Sequence, residues 1–329
     1  MDLIITDTEG REQGYLNCIS VDIENGDKND FQIVLNRKNY NKIIHSPGCR
    51  IFSPNTEWGG IIDTIHPSGD LLYLNGPTWR GRLDKSIVEP DEGEDYLVLT
   101  GELNSVIKQV MERQGLKTLF KAINASSGYK VTNYQFPRYY SVLEGITSML
   151  KSVGHKPVFR YIRSVANSVG YIEINAVKII DRSEKIEIGN DMQMKYDIKV
   201  NHGVPNHMIC LGSGELKDRI VVHLYMDRYG QIVDQPYYTG MDMIDDIYES
   251  SAEEDIDKLR EDGIKKFKEV TQKVTSKAYM VTNDISVNIG DIVSGRERIT
   301  GIKVRVPVVR KIYKRTGTKE TYDYKLQGE

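Results

Sequence analysis

Cysteine is scarce in this chain: Cys18, Cys49 and Cys210 are the only three, an odd number at long spacings with no Cys-x-x-Cys pair. That pattern fits reduced thiols in a cytosolic compartment better than a disulfide framework or a thiolate zinc site. Long apolar runs are missing too. No stretch reaches the ~18 apolar residues of a membrane span, and the opening MDLIITDTEGREQG lacks the basic start and apolar core of a secretory leader. Synthesis in the cytosol without membrane insertion is the expectation. An excess of one charge is also lacking. The 44 Lys and Arg nearly balance the 47 Asp and Glu, for a net −3 over 329 residues, so no global basic surplus points to nucleic acid. Tryptophan is the rarest residue, with two, and phenylalanine numbers 6 against 20 tyrosines. Tyrosine joins a large apolar area to a polar tip, which suits β-surfaces and wet interfaces and favours assembly over catalysis.

Both tryptophans stand beside glycine in short, charged stretches, NTEWGGII at 55–62 and GPTWRGRLDK at 76–85. The surrounding residues 1–99 read as β-structure. DLIITDT, GYLNCISVDIEN, DFQIVLNRK, CRIFSP, WGGIIDTI and DLLYLNG are short runs rich in Ile, Val, Leu and Tyr, punctuated by Asn-Gly, Pro-Gly and Ser-Gly turns. They suggest a first antiparallel barrel-like module.

At residue 100 the period changes. Leu103, Val106, Ile107, Val110 and Met111 form one helical stripe, with Thr100 as a cap and Gly115 as a stop. A second helix is expected over 141–153, opened by a Ser141/Glu144 capping box and closed at Gly154. With the strands PVFRYIRS and GYIEINAVKII, residues 100–185 read as an α/β lobe. Strands return over 186–329 as a second barrel-like module. One long helix at 251–275 interrupts them, with Ser251 and Glu254 as its capping box and Ile256, Leu259, Ile264, Phe267, Val270 and Val274 facing inward. The fold class is α+β, mainly β.

Chemistry is hard to find. His202 and His207, with Cys210 three further on, are the only local cluster, but a zinc site needs a fourth ligand and the Gly-Val-Pro between them forces a turn. LGSGE at 211–215 lacks the Lys and helix of a phosphate loop. Asp245/Asp246 and Glu253/Glu254 lie in a solvated acidic run, where nothing separates their pKa values for acid/base work. No catalytic residue, cofactor or metal is assigned, and the reading is not an enzyme. The charge is nevertheless segregated. Residues 234–262 carry eleven Asp and Glu with only Lys258 and Arg260, while 296–319 carry nine Lys and Arg with only Glu297.

The tryptophans keep two readings. Trp58 can face Leu71–Leu74 across a hairpin, Gly59 and Gly60 suit a bulge or tight corner, and Trp79-Arg80-Gly81 can repeat the device on the next strand. Arg80 or Arg82 is then available to meet Glu57. Alternatively, Trp58 and Trp79 are exposed platforms for stacking a sugar or peptide.

The same residues resemble a known family. Glu57-Trp58-Gly59-Gly60-Ile61-Ile62, then Thr78-Trp79-Arg80-Gly81-Arg82-Leu83-Asp84-Lys85 and Ile87-Val88-Glu89-Pro90, resemble the N-terminal signature of a phage tail (baseplate) hub family. Its members come from long-tailed phages and tail-like prophage particles of Gram-positive hosts. The C-terminal part is similar too, in the helix holding Leu259, Gly263 and Phe267 and in Gly290-Asp291 through Gly295-Arg296-Glu297 to Thr300-Gly301-Ile302. The resemblance implies a structural protein of the virion tail. Three copies would form a ring of six tail-tube-like barrels, joining a sixfold tube protein to a tip or spike protein among other baseplate proteins. DNA would pass through the lumen without specific binding. The acidic and basic runs would meet across neighbouring copies. Some related hubs carry a lytic or host-binding extension; this chain ends at Glu329 after its last strand, so such an activity is expected on a separate protein. A carbohydrate-binding module and, less favoured, a cell-wall hydrolase are the alternatives from other classes.

Overall fold

Regular alternation of apolar side chains along Ser20–Asn25 and Asp30–Asn36 buries Val21, Ile23, Phe31, Ile33 and Leu35 on one side, the pattern of strands with one covered face. The computed structural model describes residues 1–163, 169–184, 187–188, 195–201, 203–271, 274–281, 287–296 and 299–328. It is mainly β, 42% strand and 18% helix. The chain divides into two compact units, Met1–Tyr196 with Ala278–Gly328, and Asp197–Lys277.

In the first unit one antiparallel sheet runs in the order Lys319–Gly328, Lys303–Thr316, Ser20–Asn25, Asp30–Asn36, Leu71–Pro77 and Thr64–Ser68. The C-terminal strand Lys303–Thr316 therefore pairs with the early strand Ser20–Asn25. A smaller antiparallel sheet holds Glu12–Tyr15, Ile4–Thr6, Arg50–Phe52 and Gly59–Ile61. Ile23, Ile33 and Leu74 of the large sheet share one buried cluster with Ile5 and Ile51 of the small one and with Trp58 and Tyr313. No sheet closes into a barrel among the described residues.

Among the described residues four α-helices punctuate the strands. Helix α1 is Trp79–Asp84, where a strand is expected from the sequence. The Thr78 hydroxyl accepts from Gly81 N and turns the chain into the helix, burying Trp79 and Leu83 at i and i+4. Six residues are too few for their apolar spacing to distinguish a helical period from a strand period. Trp58, in turn, does not face Leu71–Leu74 across a hairpin: the strand that follows it, Gly59–Ile61, pairs with Arg50–Phe52, and Leu71–Pro77 forms its hairpin with Thr64–Ser68.

Helix α2, Leu103–Arg113, has the expected apolar stripe, but its cap is Glu102, whose carboxylate accepts from Ser105 N. Thr100 stays in the strand Leu97–Glu102, its hydroxyl accepting from Asn133 N. Helix α3, Val142–Ser152, starts at the expected capping box, with Ser141 and Glu144 bonding each other's backbone N–H groups. Helices α2 and α3 share a second buried cluster with Trp79, Phe120, Phe136, Tyr161 and Ile174. The strands Phe120–Ala122, Tyr171–Lys178 and His155–Ile162 form its sheet, the first pair parallel.

The second unit is a sheet of Ile232–Val233, Val221–Met226, His207–Leu211 and Asp245–Glu249, the last pair parallel. Helix α4, Ile256–Val270, joins Leu259 and Phe267 to Met208, Cys210 and Leu224 in one core. It begins later than the Ser251/Glu254 box suggests, and Ile256, its first residue, is exposed rather than facing inward because it precedes the stripe that packs on the sheet. The cap is Asp255, which accepts from Asp257 N and Lys258 N and places Asp257 in the positive first turn. Val274 belongs to the strand Val274–Val281 rather than to this helix. Among the described residues no helix is long and apolar enough to cross a membrane.

Candidate functional site

Gly59 and Gly60 lie where three backbones pass closely. A Cβ on Gly59 would fall 2.3 Å from Ile51 O and 3.0 Å from the Trp79 ring, and one on Gly60 would fall 2.1 Å from Pro77 O. No side chain larger than hydrogen fits, so the Trp-Gly-Gly order is a packing requirement. Gly81 is pressed equally hard against Asn29 O, at 2.1 Å.

The tryptophans flank this crossing in two different cores. Trp58 is 5% exposed, its ring 5.9 Å from Tyr313 and 6.0 Å from Tyr322. Trp79 is 0% exposed and lies 5.6 Å from Tyr161, which stacks on Phe52 at 3.7 Å. Neither ring can serve as an exposed sugar platform.

Glu57, just ahead of Trp58, is held by two cations. Arg80 Nε and Nη2 both donate to its Oε2 at 3.1 Å, and Lys311 Nζ donates to its Oε1 at 3.1 Å. Arg80 also sits 4.6 Å from the Phe159 ring centroid, and Lys311 lies 5.3 Å from Trp58. Burial by itself would raise the Glu57 pKa; Lys311 and Arg80 outweigh it and hold the carboxyl at about 2.

A second buried pair joins the C-terminal motif. Lys156 Nζ stands 2.5 Å from Asp291 Oδ1, both side chains buried. That oxygen also accepts from Ile180 N, and Oδ2 accepts from Asn288 N. Burial lowers the Lys156 pKa below the ordinary lysine value; Asp291 opposes this, while Arg80 and Lys311 add to it. Gly290 makes the turn beside Asp291 with a positive φ of 90°, against the Lys156 stem. Gly295 and the exposed Arg296 end the strand Ile292–Arg296, and Gly301 lies in the turn before Lys303–Thr316. Glu297 lies outside the described residues.

Of the two arginines the sequence left open, the structure brings Arg80 to Glu57 and turns Arg82 toward Ser86; it adds Lys311, which no local signal marks within the lysine- and arginine-rich KVRVPVVRKIYKR. The charged groups satisfy one another in the interior, so the arrangement clamps strands together and offers no free acid, base or nucleophile.

Other candidates separate. His202 lies outside the described residues. His207 Nδ1 is 2.7 Å from Asp245 Oδ1, its Nε2 is 2.9 Å from His223 Nδ1, and its ring stacks on Tyr225 at 4.4 Å. Cys210, three residues on, points to the opposite face of the strand into the α4 core, where burial pushes its thiol up to about 11. Among the described residues no group of three His, Cys, Asp or Glu side chains is placed to hold a metal. Four side chains of the basic run have carboxylate partners inside their own unit. Arg305 meets Asp181, Arg310 lies 3.6 Å from Glu24 and 3.7 Å from Asp27, Lys311 meets Glu57, and Lys314 lies 2.8 Å from Asp323.

No family model and no curated protein sequence matches this chain. Solved structures do. The 43 kDa tail protein of prophage MuSo2 from Shewanella oneidensis aligns at a TM-score of 0.57 and 10% identity, over 99% of this chain and 97% of that one. Prophage tail protein gp18 from Listeria monocytogenes EGD-e aligns at 0.55 and 12%, over 100% and 95%. A chain of the phage P2 baseplate in its activated conformation aligns at 0.50 and 10%, over 100% and 99%. The fold is that of phage tail proteins. Within that class the chain is similar from end to end both to prophage tail proteins and to a baseplate component. The likeness does not carry the Gram-positive origin implied by the sequence motifs.

Proposed function

We propose that this chain is a structural hub of a phage tail or tail-like particle, three copies forming a ring with six barrel-like modules between the tail tube and the tip or spike. The observation that carries this reading is the end-to-end likeness to tail and baseplate proteins, which spans almost the full length of both chains in each pairing. Its partners are two further copies of itself, the tube protein, the spike or tip protein and neighbouring baseplate proteins, and its place is the virion tail after synthesis in the host cytoplasm. DNA passes through the lumen without specific contacts. Copies per tail, counted by quantitative mass spectrometry of purified particles, test the ring: three supports it, and one, six or dozens rule it out.

The role is non-enzymatic. Similar chains are tail and baseplate proteins, and the charged groups at the signature are committed to one another. The purified chain is expected to leave peptidoglycan intact. Reproducible cleavage that disappears on changing a single Asp, Glu or His would overturn this.

A further inference from the structure

The acidic run has no obvious counterpart in the basic run, whose Arg305, Arg310, Lys311 and Lys314 already have carboxylate partners in the first unit. Within the second unit Asp234 pairs with Arg260, Glu249 with Arg219 and Glu253 with Lys258, whereas Asp242 and Asp246 meet no cation among the described residues. Beside Asp242 lies a cavity of about 260 Å³. Val204, Pro205, Met226 and Ile244 line it with apolar surface, and Tyr238 and Met241 stand beside them. Asn206 makes the pocket rigid, since its Nδ2 donates to Asp242 O at 2.7 Å and its Oδ1 accepts from Ile244 N at 2.9 Å. The Asp227 carboxylate fixes the neighbouring turn by accepting from Tyr229 N and Gln231 N.

Of the lining residues Met241 is 101% exposed, and Tyr238 carries the half-exposed Tyr237 ring edge-on at 5.0 Å. Methionine and tyrosine are the residues enriched at the centres of protein interfaces, and a preformed pocket is where one anchoring side chain gains most. The carboxylates, Asp242 among the pocket lining, select the charge of what docks.

We propose that this pocket is a docking site for a basic segment of another protein, which inserts one apolar side chain beside Tyr238 and Met241 and sets Lys or Arg against Asp242 and its neighbours. That the partner is a tail protein rests on the function proposed above; the pocket and its chemistry do not. The test uses the full chain with ¹³C-labelled methionine methyl groups and a short synthetic lysine peptide bearing one central leucine. The Met241 and Met226 methyl signals should shift saturably, and the affinity should fall with rising salt. Tyr238→Ala and Met241→Ala should each weaken binding by about tenfold, the scale of losing one interface anchor. Met241 is fully exposed, so its truncation leaves the fold intact and separates lost docking from lost folding. No saturable shift, an equal response to a leucine-free or glutamate-based peptide, or shifts produced by a chitooligosaccharide instead would overturn the proposal. Because it is read on the isolated chain, this result is independent of the copy number in tails.

Discussion

Glu57 carries the clearest consequence at the scale of single residues. A carboxylate withdrawn from water is stable only while its cations remain, so Glu57→Gln leaves Lys311 and Arg80 buried without compensation. The change should cost about 3–5 kcal/mol in urea unfolding at neutral pH. Its pH dependence has a definite sign. The folded pKa of about 2 lies below the ordinary 4.5, so the stabilisation is complete above about 4.5 and is lost as the pH falls toward 2. Glu57→Gln should flatten the stability profile across that window, and an unchanged profile would mean that the pair contributes nothing. The tryptophans follow from burial. Trp58→Ala and Trp79→Ala should each cost about 3–5 kcal/mol. A Trp58→Ala chain with an unchanged melting temperature would contradict the packing described here.

At the scale of elements, the caps and close approaches give separate tests. The Ser141 hydroxyl accepts from Glu144 N and donates to Asp84 Oδ1, so it ties α3 to the end of α1 as well as opening its own helix. Ser141→Ala should cost about 1 kcal/mol or somewhat more. In α4, a Cβ on Gly263 would fall 2.4 Å from Cys210 Sγ. Alanine normally favours a helix over glycine by about 1 kcal/mol, and here overpacking by roughly 1–3 kcal/mol opposes that gain. Gly263→Ala should therefore destabilise the chain, and much less so in a Cys210→Ala background. Equal effects in both backgrounds, in a double-mutant cycle of chemical unfolding, would show that the sulfur is not the obstacle.

At the scale of the whole molecule, the two units have separate cores. The second unit relies on a small cluster built around Met208, Leu224, Leu259 and Phe267, whereas the first joins two extensive ones. Few buried apolar side chains mean a low free energy of local opening. Native-state hydrogen exchange should release the amides of His207–Leu211 and α4 before those of Ser20–Asn25 and Asp30–Asn36. Simultaneous exchange would make the chain one cooperative body. In assembled tails, protection of the Tyr237–Met241 stretch should rise if that surface is covered.

What the sequence by itself determined is what travels through neighbouring residues. The α2 stripe, the α3 capping box, the β-rich ends and an arginine partner for Glu57, Arg80 or Arg82, all come from spacing, cap chemistry and charge within a few tens of positions. What only the tertiary structure decided depends on contacts with no local signature. Lys311 reaches Glu57 because Lys303–Thr316 pairs with Ser20–Asn25 across most of the chain, Lys311 opposite Asn25. Trp79 enters a helix because Thr78 caps a turn too short to show a period. The sequence sets the basic run against the acidic run of a neighbouring copy, yet Arg305, Arg310, Lys311 and Lys314 are neutralised within the chain, because their partners Asp181, Glu24, Glu57 and Asp323 are scattered along it and only folding gathers them. Local propensity is written residue by residue, whereas strand register and ion pairing are settled by which distant segments bury their apolar faces together.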